Sequence, residues 1–143
     1  MKAVVAHGAG DFRLEDGPDP LIEGGAVVRR EAAGVCAADR MIYKGDSPWE
    51  LTFPFIPGPE KVGTIVDLDA DAGARWGVTE GDMVVNEVMV PCGRCPLCRR
   101  ERFHLCRDGR HIGSSLPGGW AERMAIPPEA RVWRVPTGLA PEE

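Results

Sequence analysis

The chain has 143 residues, a formal charge of −5, and 43% hydrophobic and 27% charged residues. This length suits one domain with a real core, and the acidic balance disfavours wholesale nucleic-acid binding. No apolar run nears the roughly 20 residues of a membrane span, and Met1–Gly8 lacks a signal-peptide core, so the expectation is a soluble, cytoplasmic protein.

The 18 glycines and 13 prolines predict many turns and few long helices. Ala3-Val4-Val5 is a short apolar strand ending at Gly8-Ala9-Gly10. Asp11 to Glu15 alternates apolar and polar residues with period two, the pattern of a half-buried strand. Pro18, Pro20 and Gly24-Gly25 mark turns, and Ala26 to Arg30 opens a strand that runs toward Gly34-Val35-Cys36. Ala37 to Lys44 suits a short helix capped by Gly45. A loop rich in Pro and aromatics follows, from Asp46 to Pro59. Val62 to Leu68 is a β-branched strand, and Met83 to Val90 another after the Gly81-Asp82 turn. Trp120 to Ile126 and Arg131 to Val135 are the last two strands. Pro141-Glu142-Glu143 has the chemistry of a first helical turn.

Four of the five cysteines fall within 15 positions, spaced Cys92-x2-Cys95-x2-Cys98-x7-Cys106. Cytosolic thiols stay reduced, so a cluster of this kind points to metal before disulfides. Four soft thiolates close a tetrahedral zinc shell with no open position, which makes the site structural rather than catalytic. Gly93 permits the turn after Cys92, and Pro96 stiffens the turn after Cys95. Zinc binding of this type supplies on the order of 10 kcal/mol to folding, which compensates a lobe too short and too charged for its own core. Two disulfides, unpaired thiols or an iron–sulfur cluster are the alternatives. Nothing suggests the secretion that disulfides favour, and the cluster lacks a trailing Cys-Pro. The lobe also carries Arg94, Arg99, Arg100, Arg102, Arg107 and Arg110. A solvated face offsetting the zinc-tetrathiolate charge competes there with a contact surface for nucleic acid. Phe103 is the only aromatic in the basic run, a poor supply for base stacking.

Several motifs, in order, resemble those of the zinc-containing medium-chain dehydrogenases, the alcohol and polyol dehydrogenase superfamily. Gly34-Val35-Cys36-Ala37-Ala38-Asp39 is similar to its Gly-hydrophobic-Cys-x-x-Asp motif, and Pro57-Gly58-Pro59-Glu60-Lys61-Val62-Gly63 to its Gly-His-Glu-x-x-Gly motif with one change. Gly81-Asp82-Met83-Val84, the four-cysteine lobe and Gly118-Gly119-Trp120-Ala121-Glu122 complete the series. The resemblance implies a mainly β, GroES-like, partly open barrel over residues 1–135, with the zinc lobe at about 91–111. Residues 136–143 become an exit linker toward a Rossmann domain that binds NAD or NADP. No Gly-x-Gly-x-x-Gly fingerprint occurs here, so the chain reads as an excised catalytic domain and is expected to be inactive alone.

In the family a second zinc acts as a Lewis acid on the alcohol oxygen. By resemblance Cys36 is one ligand and Glu60 a neighbouring carboxylate that ligates zinc in the polyol branch. The His ligand position holds Pro59, which has no donor atom. Asp39 matches a carboxylate that orients that His, and the relay positions hold Ala38 and Met41, which pass no proton. Cys36 is therefore either a ligand in an incomplete shell or a buried small hydrophobe. Trp49, Phe53 and Phe55 border the substrate cleft by resemblance, or simply pack a Pro-rich loop. His7, His104 and His111 match no ligand motif, and His104 and His111 are expected at the surface.

The expected substrate is a small alcohol, polyol or sugar, with no nucleic-acid or membrane partner. The quaternary state stays open, a homo-oligomer of the full-length protein included. Two further readings remain: the same fold working without catalytic zinc, as a reductase or an inactive relative, and a non-enzymatic module that binds through the zinc lobe.

Overall fold

The computed structural model describes residues 1–142. The strands are β1 (Lys2–Gly8), β2 (Asp11–Asp16) and β3 (Ala26–Ala33), followed by helix α1 (Ala37–Lys44) and β4 (Lys61–Leu68). Helix α2 (Ala70–Trp76), β5 (Met83–Asn86), β6 (Met89–Val90), β7 (Arg110–His111), β8 (Arg123–Ile126) and β9 (Val132–Arg134) complete the chain. Strands β8-β3-β4-β5-β9 form one antiparallel sheet, while β1-β2 and β6-β7 are separate two-stranded sheets. The sheets do not close on one another. The barrel is therefore partly open, as the motif order predicts.

The core follows from the β-branched runs. Val28, Ile65, Val84, Met124, Ile126 and Val132 pack together from all five strands of the main sheet. Val90 and Ile112, at the two ends of the cysteine lobe, belong to the same cluster. A second cluster joins Ala6 of β1, Ile42 of α1 and Phe55 of the loop. Ala6 and Phe55 exchange backbone hydrogen bonds of 2.8 and 3.1 Å, which pin the loop to the hairpin. At the loop's end Gly58 has φ 92°, and a Cβ there would stand 2.2 Å from Trp120 Cδ1. Only glycine fits so close to the indole. Gly58→Ala is expected to cost more than about 2 kcal/mol by clash and backbone strain, read as a drop in the midpoint of urea unfolding.

Three elements differ from the sequence reading. Helix α2 was not foreseen, because only Ala72 and Gly73 are buried and no apolar stripe marks it. Its signals are caps: the Asp69 carboxylate accepts from the Asp71 and Ala72 N–H groups, and Gly77 closes the end in the left-handed region. The Met83–Val90 strand breaks at Glu87–Val88. Glu87 N–H donates to Arg131 O, and Val88 O accepts from Ile112, so the chain leaves one sheet for another. In the Trp120–Ile126 segment Arg123–Ile126 pairs with β3, and Glu122 is the switch point, its carbonyl accepting from Arg30 N–H while its own N–H donates to Lys2 O. The preceding residues pair with β1 through Ala3 and Ala121. Period-two patterning reports exposure, not partner, so it cannot reveal such a switch. Pro141 and Glu142 form a turn, and the remainder of the expected helical start, Glu143, lies outside the described residues.

Candidate metal centre and adjoining cleft

The antiparallel pair β6-β7 is the neck of the cysteine lobe, with Met89 opposite His111 and Val90 opposite Arg110. Inside the lobe the chain makes two 3₁₀ turns, Cys98–Arg100 and Phe103–Leu105. Gly93 sits at φ 71°, the left-handed turn that carries the chain from Cys92 toward Cys95. The result is convergence of four sulfurs. All four Sγ atoms lie within 4.8 Å of one another. The Cys92–Cys98 and Cys95–Cys106 sulfur pairs are each 4.0 Å apart. Zinc–sulfur bonds of about 2.3 Å in a tetrahedron require sulfur separations of about 3.8 Å, so the set fits zinc with little adjustment.

The local electrostatics agree. Cys92 N–H donates to Cys106 Sγ at 3.3 Å, and Cys98 N–H to Cys95 Sγ at 3.4 Å, placing amide dipoles on sulfurs that must be anionic. Backbone N–H groups of Arg94 and Cys95 draw the Cys92 thiol down to about 7. Burial, with neighbouring thiols adding to it, pushes Cys98 up to about 12. Without a cation the four groups cannot all ionise; a bound dication removes that conflict. The six lobe arginines are all exposed, as a solvated face requires.

The lobe is clamped to the barrel by Arg131. Its guanidinium lies 5.1 Å from the Phe103 ring of the lobe and 5.2 Å from the Trp133 ring of β9. Glu87 holds the same group at 3.2 Å. Arg131→Ala is expected to cost about 1 kcal/mol and to speed proteolysis within the lobe, with zinc content unchanged.

Beside the lobe, under α1, lies a cleft of about 460 Å³. Ala38, Asp39 and Pro59 from the predicted catalytic motifs line it, together with Trp49. Cys36 caps α1 and is half-buried, its thiol raised mainly by burial. Glu60 is exposed and lies against Gly34, where an added Cβ would meet Oε2 at 2.6 Å. Neither Cys36 nor Glu60 lines the cleft, and Met41 does not reach it. Among the described residues, the four cysteines are the only group of three or more His, Cys, Asp or Glu donors close enough to share an ion.

Asp39 has been put to other use. Its carboxylate is 1% exposed and accepts from the N–H of Cys36 at 2.9 Å and of Gly58 at 3.2 Å. It thereby ties the start of α1 to the loop that carries Pro59. The aromatics divide as well: Trp49 faces the cleft, Phe55 is in the core, and Phe53 stacks on Phe55 at 5.3 Å. The sequence reading missed part of the lining: Glu50, Thr52, His111, Ser114 and Ser115. Placing His111 at the surface was correct as to exposure, but the return of β7 beside β6 also brings it to the cleft. Its only sequence signal was its place directly after the lobe.

A mainly β, partly open barrel with a four-thiolate lobe and a cleft beside it defines the catalytic-domain type of the zinc dehydrogenases. The family model described as the alcohol dehydrogenase GroES-like domain matches residues 23–137, and the chain belongs to this family. Erythritol/L-threitol dehydrogenase of Mycolicibacterium smegmatis is 41% identical over an alignment of 147 residues that covers 94% of this chain and 40% of that protein. The crystallised alcohol dehydrogenase TADH from Thermus sp. ATN1 superposes with a TM-score of 0.84 at 30% identity, covering 99% of this chain and 42% of the other. Galactitol-1-phosphate dehydrogenase from Escherichia coli gives 0.82 at 28%, covering 99% and 40%. The chain thus spans about two fifths of the length of these relatives.

Proposed function

We propose that this chain is the catalytic domain of an NAD(P)-dependent alcohol or polyol oxidoreductase, with one structural zinc at Cys92, Cys95, Cys98 and Cys106. In this reading residues 1–135 are the domain, 136–143 lead to a dinucleotide-binding domain, and the protein works in the cytoplasm on a small hydroxylated substrate. The observation that carries the reading is the closed four-sulfur shell beside a cleft in a GroES-like domain. The zinc, when bound, closes its coordination with protein sulfur and so holds the lobe together rather than activating substrate. Among the described residues no helix is long and apolar enough to cross a membrane.

A second zinc does not fit the residues present. Proline offers no donor at position 59, and among the described residues no group of three or more His, Cys, Asp or Glu donors apart from the four cysteines is close enough to share an ion. This favours a form of the activity that proceeds without a tightly held catalytic metal. In the full-length protein, plasma emission analysis is expected to find one zinc per chain, rising toward two in Pro59→His. Two zincs in the unaltered protein would overturn the reading of Pro59. Absence of turnover with every alcohol and polyol, with either nicotinamide cofactor, would overturn the oxidoreductase assignment.

A further inference from the structure

Two segments carry the predicted catalytic motifs: Gly34–Asp39, which opens α1, and Pro57–Glu60, which precedes β4. Asp39 joins them through the N–H groups of Cys36 and Gly58. A second junction is built from Trp120, which does not line the cleft. Its indole N–H donates to Gly34 O at 2.9 Å, across 86 positions of sequence. Its ring lies against Gly58, where a Cβ would stand 2.2 Å from Cδ1 and 2.8 Å from Nε1. One side chain thus touches both segments.

The surrounding backbone leaves the indole little freedom. Gly118 N–H donates to Ile56 O at 2.7 Å, Gly119 N–H to Gly58 O at 2.7 Å, and Trp120 N–H to Pro57 O at 3.1 Å. So close an approach needs glycine, since a Cβ on Gly118 would stand 2.1 Å from Pro57 O. Trp120 O accepts from Val4 N–H at 2.7 Å, which anchors the residue to β1. Phe12 of β2 meets the indole at 6.1 Å between ring centroids, in an edge arrangement. Gly34 is held to the second segment as well, its N–H donating to Glu60 O at 2.9 Å. Its carbonyl is left for the indole.

We propose that Trp120 is a positioning residue: its indole sets the register between Gly34–Asp39 and Pro57–Glu60, and with it where Ala38, Asp39 and Pro59 stand in the cleft. The inference rests on the reading of this domain as catalytic and adds to it a residue that acts only through others. Phenylalanine keeps a ring against Gly58 but has no N–H to give. Gly34 O then loses its donor, and the segment that leads to Cys36 opens more often, by about fivefold for one hydrogen bond.

Cys36 reports on that opening. Once zinc occupies the four lobe cysteines it is the one remaining thiol, and it is half-buried, so it reacts through local opening. In the zinc-loaded chain Trp120→Phe is expected to raise the rate of Cys36 alkylation by iodoacetamide about fivefold, read by intact-mass spectrometry. Val132→Ala, a truncation in the main core, should lower the melting temperature at least as much and leave that rate unchanged. In the unaltered chain the indole proton of Trp120 should exchange with deuterium more slowly than those of the exposed Trp49 and Trp133, a measurement that needs no variant. In the full-length protein Trp120→Phe should lower kcat/KM for the alcohol turned over fastest by about fivefold and leave KM for the nicotinamide cofactor unchanged. An unchanged alkylation rate in Trp120→Phe, an equal rise in Val132→Ala, an indole proton at Trp120 that exchanges as fast as that of Trp49, or an unchanged kcat/KM would each overturn the proposal. If the full-length protein turns over no alcohol or polyol, the oxidoreductase assignment fails, while alkylation and exchange still decide the role of Trp120.

Discussion

Cys106→Ser is expected to abolish stoichiometric zinc binding and to lower the melting temperature by more than about 10 °C, the largest stability loss available from a single side chain here. The lobe from Cys92 to Cys106 has only two 3₁₀ turns and two buried residues, Cys98 and Cys106, both of them ligands. Its order therefore depends on the ion. The barrel has its own cluster around Ile65, Val84 and Met124 and should keep its strand signal in far-ultraviolet circular dichroism. Trp133 reports the damage, because Arg131 holds it and Phe103 together; its emission should shift when the lobe loosens. Cys36→Ser is the control and should keep the zinc. If Cys36→Ser loses the ion and Cys106→Ser does not, the ligand assignment is wrong. Acid acts in the same direction as the mutation. Each sulfur must give up a proton to bind, and Cys98, buried, holds its proton up to about 12 without metal. Protons thus compete with zinc, and retention measured by a chromogenic chelator should fall as pH drops from about 7 to about 5.

Asp39→Ala is expected to destabilise the chain by about 3 kcal/mol, a fall of roughly 10 °C in melting temperature. The carboxylate is buried and satisfies two backbone donors, Cys36 N–H and Gly58 N–H. Alanine leaves both without an acceptor where water has little access. Asp39→Asn keeps one acceptor oxygen and should lose less. The effect is structural first, since the bond to Gly58 sets the position of Pro59 at the cleft wall. A melting temperature within about 1 °C of the unaltered chain would show that Asp39 does not carry this junction.

The legible part of the fold was the part that repeats. Short apolar or β-branched runs marked β1, β3, β4 and β5, alternation marked β2, and Gly45 marked the end of α1 with its N–H bonded to Ile42 O. Helix α2 escaped because its evidence is two caps around an interior of Ala and Gly, with one buried alanine. The strand breaks at Glu87 and Glu122 escaped for another reason. Each is a choice of hydrogen-bond partner between two sheets, made by residues distant in sequence.

The metal lobe and the cleft divide along the same line. The four cysteines lie within one 15-residue loop, so spacing alone constrains how their sulfurs meet, and a soft dication dictates the rest. Likewise the resemblance places Pro59 where the family's His ligand stands, and the lack of a donor atom is a property of the residue. The rest of the cleft lining is not local. Thr52 and His111 are 59 positions apart, and nothing in their own segments distinguishes them from surface residues. They face one cavity only because β6-β7 folds the end of the lobe back against the loop that precedes β4. The sequence by itself pointed to a structural metal and its four candidate ligands, and by resemblance to a missing donor at Pro59, since those are matters of donor atoms and short spacings. Which polar groups surround the cleft, and that Asp39 serves backbone donors, was decided only by tertiary packing, where burial and sheet pairing bring distant groups together.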